Sequence, residues 1–324
     1  MGAFAPPPLI AVHFGEWRTA GQLAAAHDSA AVHALTVYSS IRLNLAEFSK
    51  RLLATSENYR RAEANIVAAL ARRVRPDDNV WVRAADLPTL PPAAGLFEIA
   101  RQRPYPESAD AYDSHVIADW LRQLQSFGAA RAHYDMSRAW RAVGEAAQRL
   151  GDVLFQQAVD IYGSWQDAAS PLAQHKLRRI EGTAQALSGS AWTLSPLARY
   201  TAEAIEETLS DARPGGSLMW SSSTRQARLT AAFDQLNSRY REIIDAYPWS
   251  IPFDLPFGTV PPPRIAPAAD APRNSPPVPG AGAGPAPFAA PAVIGGEIPR
   301  SWAYDYADNG WLGDTDSGGS NLVG

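Results

Sequence analysis

With 324 residues, no cysteine and a formal net charge of −4 at pH 7, the chain has material for one or two packed domains. It has none for disulfides or thiolate metal sites. All of the net charge lies beyond residue 250, where seven acids face three arginines, while the first 250 residues hold 26 acids and 26 bases. A neutral body speaks against binding a nucleic-acid backbone, which needs clustered positive charge.

In chain order, Met1 to Trp17 shows no basic start before a long apolar core, and Pro6, Pro7 and Pro8 interrupt it. A cleaved secretory signal is therefore not expected. Gly2 follows Met1 as in acylated proteins, but Pro6 stands where Ser or Thr is wanted. No apolar run approaches the roughly 18 to 20 residues that span a bilayer, so no transmembrane segment is expected.

From about Ala20 to Arg73 there is no proline, and no glycine after Gly21. Apolar or small residues step by threes and fours: Tyr38, Ile41, Leu45, Phe48, Leu52, Thr55, Tyr59, Ala62, Ile66, Ala69. That spacing predicts one long helix packed along a partner helix. Pro76, Pro88, Pro91, Pro92, Pro104 and Pro106 then predict an irregular connector.

A second helical stretch is predicted from about Ala111 to Tyr162. Trp120, Leu124, Phe127, Arg131 and Tyr134 start its stripe, and Met136, Trp140, Val143, Ala147, Leu150 and Leu154 resume it after a phase shift. Gly163 and Ser164 interrupt, and a third helix runs from about Asp167 to Asp211, with Pro196 expected to kink or split it. Arg213-Pro214-Gly215-Gly216 ends that helix. A fourth, Ser222 to Ala246, stops before Pro248.

From Pro252 to Pro299 the chain is Pro/Ala/Gly-rich and cannot bury enough apolar surface to offset its ordering entropy. The last stretch is acidic and glycine-rich, with Trp302, Tyr304, Tyr306 and Trp311 as a candidate interaction tail. The predicted fold class is all-α, an elongated bundle of long antiparallel helices with a disordered C-terminal tail. Its parts are an N-terminal helix (1–74), a Pro-rich connector (75–110), a helical hairpin with closing helix (111–250) and the tail (251–324).

Chemistry is sparse. No glutamate has a histidine three residues later, as a helical di-metal site needs, and the six histidines show no metal spacing. No nucleophile elbow, phosphate loop or dinucleotide fingerprint occurs. Glu203, Glu206 and Glu207 read as a solvated acidic face. No catalytic residue, metal or cofactor is expected. Several tryptophans (Trp17, Trp81, Trp165, Trp220, Trp249) stand where the chain turns or a helix begins or ends, which predicts gap-filling roles.

Two features together carry a family resemblance. Tyr162-Gly163-Ser164-Trp165-Gln166-Asp167-Ala168-Ala169, between two long helices, resembles the Trp-x-Gly hairpin turn of WXG-type and PPE proteins, with Asp167 in place of the glycine. Those proteins are helical hairpins exported by actinobacterial type VII (ESX) secretion systems. Tyr59-Arg60-Arg61-Ala62-Glu63 is similar to the family's Tyr-x-x-x-Asp/Glu export signal. Residues four apart share a helix face, so Tyr59 and Glu63 would be presented side by side.

Leu23-Ala24-Ala25-Ala26-His27 ahead of Tyr59 resembles the terminal half of EspC-like secreted proteins. The resemblance covers residues 17–73 and 111–252. It implies a non-enzymatic, secreted or envelope protein whose partners are the ESX machinery or a small helical hairpin, with scope for self-association. The first helix could supply a small partner's cover within the same chain. The alternative is a cytoplasmic structural or adaptor coiled coil with a flexible docking tail.

Overall fold

A computed structural model of the chain describes residues 12–72, 91–99, 107–165, 169–212 and 222–261. Among them are helices α1 (Arg18–Arg72), α2 (Ser114–Ser126), α3 (Ala129–Ser164), α4 (Ser170–Asp211) and α5 (Ser222–Ala246). Two short strands, β1 (Ala93–Glu98) and β2 (Ser250–Leu255), form the one sheet among these residues. The architecture is all-α, built of long packed helices.

The centre of the body is the α3–α4 hairpin, the most extensive helix contact in the molecule. Ser188 Oγ donates to Gly144 O at 2.8 Å and Ser195 Oγ to Ser137 O at 2.9 Å, so the two helices run antiparallel. On α4, Ile180, Ala184, Leu187, Ala191, Leu194, Ala198 and Ile205 form a stripe that is buried along its whole length. At Gly144 the helices approach closely enough that an added Cβ would meet the Trp192 indole at 3.1 Å.

Helix α4 runs through Pro196 as one element rather than splitting. Buried Leu194 and Ala198 flank the proline, and the Ser195–Ser137 bond holds that turn against α3. Packing here outweighs the local cost of one missing backbone bond.

The expected 111–162 rod is two helices. Gly128 adopts φ 60° and ψ 37°, a left-handed conformation that glycine takes without steric penalty. Phe127 N donates to Gln123 O and Gly128 N to Gln125 O, closing α2 before α3 begins. Of the residues foreseen on the first part of that stripe, Leu124 is buried, whereas Phe127 and Arg131 face solvent.

The connector and the start of the tail are also more ordered than expected. β1 and β2 pair antiparallel, in a register running from Ala93 opposite Leu255 to Glu98 opposite Ser250. Ile251 and Leu255 are fully buried, and the rings of Phe97 and Phe253 stack with centroids 4.5 Å apart. Thr183 Oγ1 donates to Asp254 O and accepts from Asp254 N, while Arg179 holds the Asp254 carboxylate at 2.6 Å. Residues 251–261 therefore belong to the folded body. Most of the predicted tail, from 262 onward, lies outside the described residues, as do Trp81 and Trp220.

The start of α1 is anchored from a distant segment. The buried Glu107 carboxylate accepts from Thr19 N at 3.1 Å, from Thr19 Oγ1 at 2.9 Å and from the Tyr112 hydroxyl. Asn237 Nδ2 on α5 donates to Glu107 O at 2.7 Å. A carboxylate at a helix N-terminus satisfies an orphan amide and complements the helix dipole. Glu107→Ala should cost about 2–3 kcal/mol, because it leaves buried donors unmade. Thermal melts followed by circular dichroism should show Tm lower by about 5–10 °C; an unchanged Tm would show the anchor to be dispensable.

Beside that anchor Trp17 is buried among Tyr240 (stacked, 5.4 Å), Phe233 (5.3 Å) and Trp120 (5.8 Å). The ring joins α1, α2 and α5, the gap-filling role expected of a tryptophan at a helix start. Trp249 behaves differently and is 71% exposed.

Candidate protein-recognition site at the hairpin end

Helix α1 keeps its apolar stripe for its whole length, but the body covers only the first part. Tyr38, Ile41 and Phe48 are buried, and Leu45 and Leu52 pack on the core at its margin. Further along, Tyr59 is 44% exposed and Ile66 49%. The expectation of one continuous buried seam from Tyr38 to Ala69 therefore holds unbroken only as far as about Leu52: Tyr59 and Ile66 are exposed, while Ala69 at its end is buried. The physical reason is length, since the partners end before α1 does.

The level at which they end is marked by two aromatic rings. Tyr59 meets Trp165 edge to face, with centroids 6.4 Å apart and planes at 86°. Trp165 closes α3: its N–H donates to Ile161 O at 2.9 Å, and its extended backbone (φ −122°, ψ 103°) leaves the helix there. Helix α4 resumes at Ser170, with Pro171 in its first turn, where a missing N–H costs little. Asp167 lies outside the described residues.

Since Tyr59 is level with the described end of α3, the 13 residues from Arg60 to Arg72 run on past Trp165, about 20 Å of helix at 1.5 Å per residue, with Ala69 buried among them. Glu63 is exposed one turn past Tyr59. The Glu57 carboxylate binds Arg61 at 2.9 Å and Arg60 at 2.8 Å, and those two contacts hold its pKa below the ordinary value. Together these residues present an aromatic pair, two acids and two arginines at one end of the bundle. Such a surface suits contact with another protein.

Nearer the body, a cationic group flanks the arm. Phe257 lies between Arg51 and Lys176, each 4.9 Å from its ring. Burial lowers the Lys176 pKa, and Arg51 and Arg179 nearby lower it further. The acids Glu203, Glu206 and Glu207 act as surface ties: Glu203 binds Arg199, Glu206 accepts from Tyr134 on α3, and Glu207 pairs with Arg239 on α5.

One constellation has no counterpart in the linear spacing. His13, His27 and His133, from three separate stretches, gather around Phe14, with Phe14–His133 centroids 4.6 Å apart and Phe14–His27 5.8 Å. His27 and His133 are buried, and no hydrogen bond of ordinary geometry reaches either ring nitrogen of His133 or Nδ1 of His27. Among the described residues no group of His, Asp or Glu is placed to hold a metal ion. No described helix is long and apolar enough to cross a membrane.

No family model and no curated protein matches the chain. Two solved structures do. EspB from the ESX-1 type VII secretion system is 15% identical with a TM-score of 0.53, and the match covers 80% of this chain and 94% of that one. A second, described as a mycobacterial protein, is 14% identical with a TM-score of 0.53, covering 80% of this chain and 92% of its own. At such identity the likeness is one of fold: this chain has the helical architecture of EspB.

Proposed function

We propose that this chain is a non-enzymatic type VII (ESX) secretion-associated protein, exported or retained at the cell envelope, that works through helix-mediated protein contacts. The observation that carries this reading is the contact between Tyr59 and Trp165. Two motifs 106 residues apart, one resembling an export signal and the other a WXG/PPE-type hairpin turn, meet at one end of the bundle. The shared fold of EspB, described as belonging to the ESX-1 type VII secretion system, supports the same assignment.

In this reading Tyr59 and Glu63 are the side chains that the secretion machinery reads, with Trp165 of the hairpin-turn motif beside Tyr59. Helix α1 packs against α4 and α5, in the manner of a small hairpin partner supplied in cis.

The test is export from an actinobacterial host carrying an ESX system, with and without its ATPase. Tyr59→Ala and Glu63→Ala should each lower the secreted fraction at least tenfold. Helical circular dichroism should not change, because both side chains are exposed. Tyr59→Phe keeps the ring contact and should retain most export. Wild-type secretion by Tyr59→Ala, or a protein confined to the cytosol, would refute the assignment.

A further inference from the structure

The end of α1 leaves an apolar face uncovered, and the remainder of the chain carries chemistry that matches it. Tyr59, Ile66, Val67 and Leu70 are exposed over about 16 Å of helix, on a side of the helix turned away from the buried Ala69. Tyr59 and Ile66 continue the stripe that Ile41, Phe48 and Leu52 bury in the body, and Leu70 stands beside them four residues after Ile66. An exposed apolar helix face of this kind marks a contact site. The surrounding charge is positive: residues 50–72 hold Lys50, Arg51, Arg60, Arg61 and Arg72 against Glu57 and Glu63, so 5 − 2 = +3.

We propose that the acidic aromatic segment Ser301–Asp316 of the same chain docks on this face of α1. Its residues Trp302, Tyr304, Tyr306 and Trp311 supply apolar rings. Asp305, Asp308, Asp314 and Asp316 give it −4, with no base among its residues. Just before the arm, Phe257 of the C-terminal run already packs within 4.9 Å of the cations of Arg51 on α1 and Lys176 on α4.

Reach is ample. Val260 N donates to Ser40 Oγ, which fixes the chain beside α1 just before Pro261. From Ser40 to Leu70 is about 45 Å of helix, and the 40 residues from 261 to 301 extend to about 130 Å at most. Tethering places the segment at a high effective concentration over the face. A second copy is the poorer occupant, because it would set one +3 arm against another. The proposal does not use the export reading, so it stands whether or not the chain is exported. If both readings hold, a reader of Tyr59 must displace the tail.

The absence of cysteine permits a direct test on the purified full-length chain. Spin labels at Ser56→Cys and Ser317→Cys should give a narrow distance distribution centred below about 25 Å. Adding Trp302→Ala and Trp311→Ala should broaden it and move its centre beyond about 35 Å, the scale of an untethered coil of this length. A broad distribution that the alanines leave unchanged overturns the proposal. Coupling between chains labelled at Ser56→Cys alone, fading on dilution, overturns it in favour of a second copy. Neither readout depends on secretion, so loss of the docking contact and failure of the export reading are separable.

Discussion

Acidification from pH 7 to pH 4 should destabilise the body on the order of 4 kcal/mol and lower its Tm by about 10 °C or more. Burial holds His27 at about 4 and His133 at about 3, against an ordinary value of 6.5. For His133 the neighbouring His27 adds to the effect, and the His13 backbone only partly offsets it. Between those values the unfolded chain binds protons that the folded chain refuses, so stability falls as pH falls, from about 6.5 toward 3 to 4.

The other charged groups near the cluster do not reverse this. Glu16 faces His13 and opposes the lowering of that group alone. From α5 the Tyr240 hydroxyl reaches only the Phe14 carbonyl, at 3.0 Å. Asp28 works in the opposite sense: burial raises its carboxyl to about 6, so it favours the fold as pH drops. It is one partly exposed group against two deeply buried ones, and the histidines win. His133→Leu removes a buried titratable ring and should roughly halve the difference in Tm between pH 7 and pH 4. Equal melting at the two pH values would show that the cluster is solvated.

The second large effect separates the two halves of one helix. Phe48→Asp should cost about 4 kcal/mol or more, since it removes a buried ring and strands a charge in its place. Helical circular dichroism and solubility should fall together at 37 °C. Leu70→Asp lies on the same helix but 72% exposed, and should change stability by less than about 0.5 kcal/mol. Comparable losses from both would mean that the arm beyond Tyr59 is covered by the body after all.

This pair also shows where periodicity stops being informative. Phe48 and Ile66 belong to the same run of threes and fours, and their local sequences give no hint that one is buried and the other is not. Burial depends on whether another helix lies alongside, and that is set by where α3 and α4 turn. The limits of α5, Ser222–Ala246, by contrast, were readable in the chain itself, because glycines and prolines bracket it. Tyr59 and Glu63 were legible as a face-sharing pair and Trp165 as a turn residue. Their meeting was not, because nothing in either segment encodes the other's position.

The ribbon escaped notice for a related reason. Ile251, Phe253 and Leu255 alternate with Pro252 and Asp254, a strand pattern only five residues long at the edge of a proline-rich composition. Averaged over the surrounding fifty residues, that alternation disappears.

Local chemistry was therefore enough to set the helical class, most helix limits and the inward stripes, because backbone hydrogen bonding and periodic burial act over a few residues. The Gly128 break, the pairing of residues 93–98 with 250–255, the gathering of His13, His27 and His133, and the overhang of α1 past Trp165 came only with the packed molecule. Each depends on contacts between distant segments, whose energies are balanced only once every helix is in place.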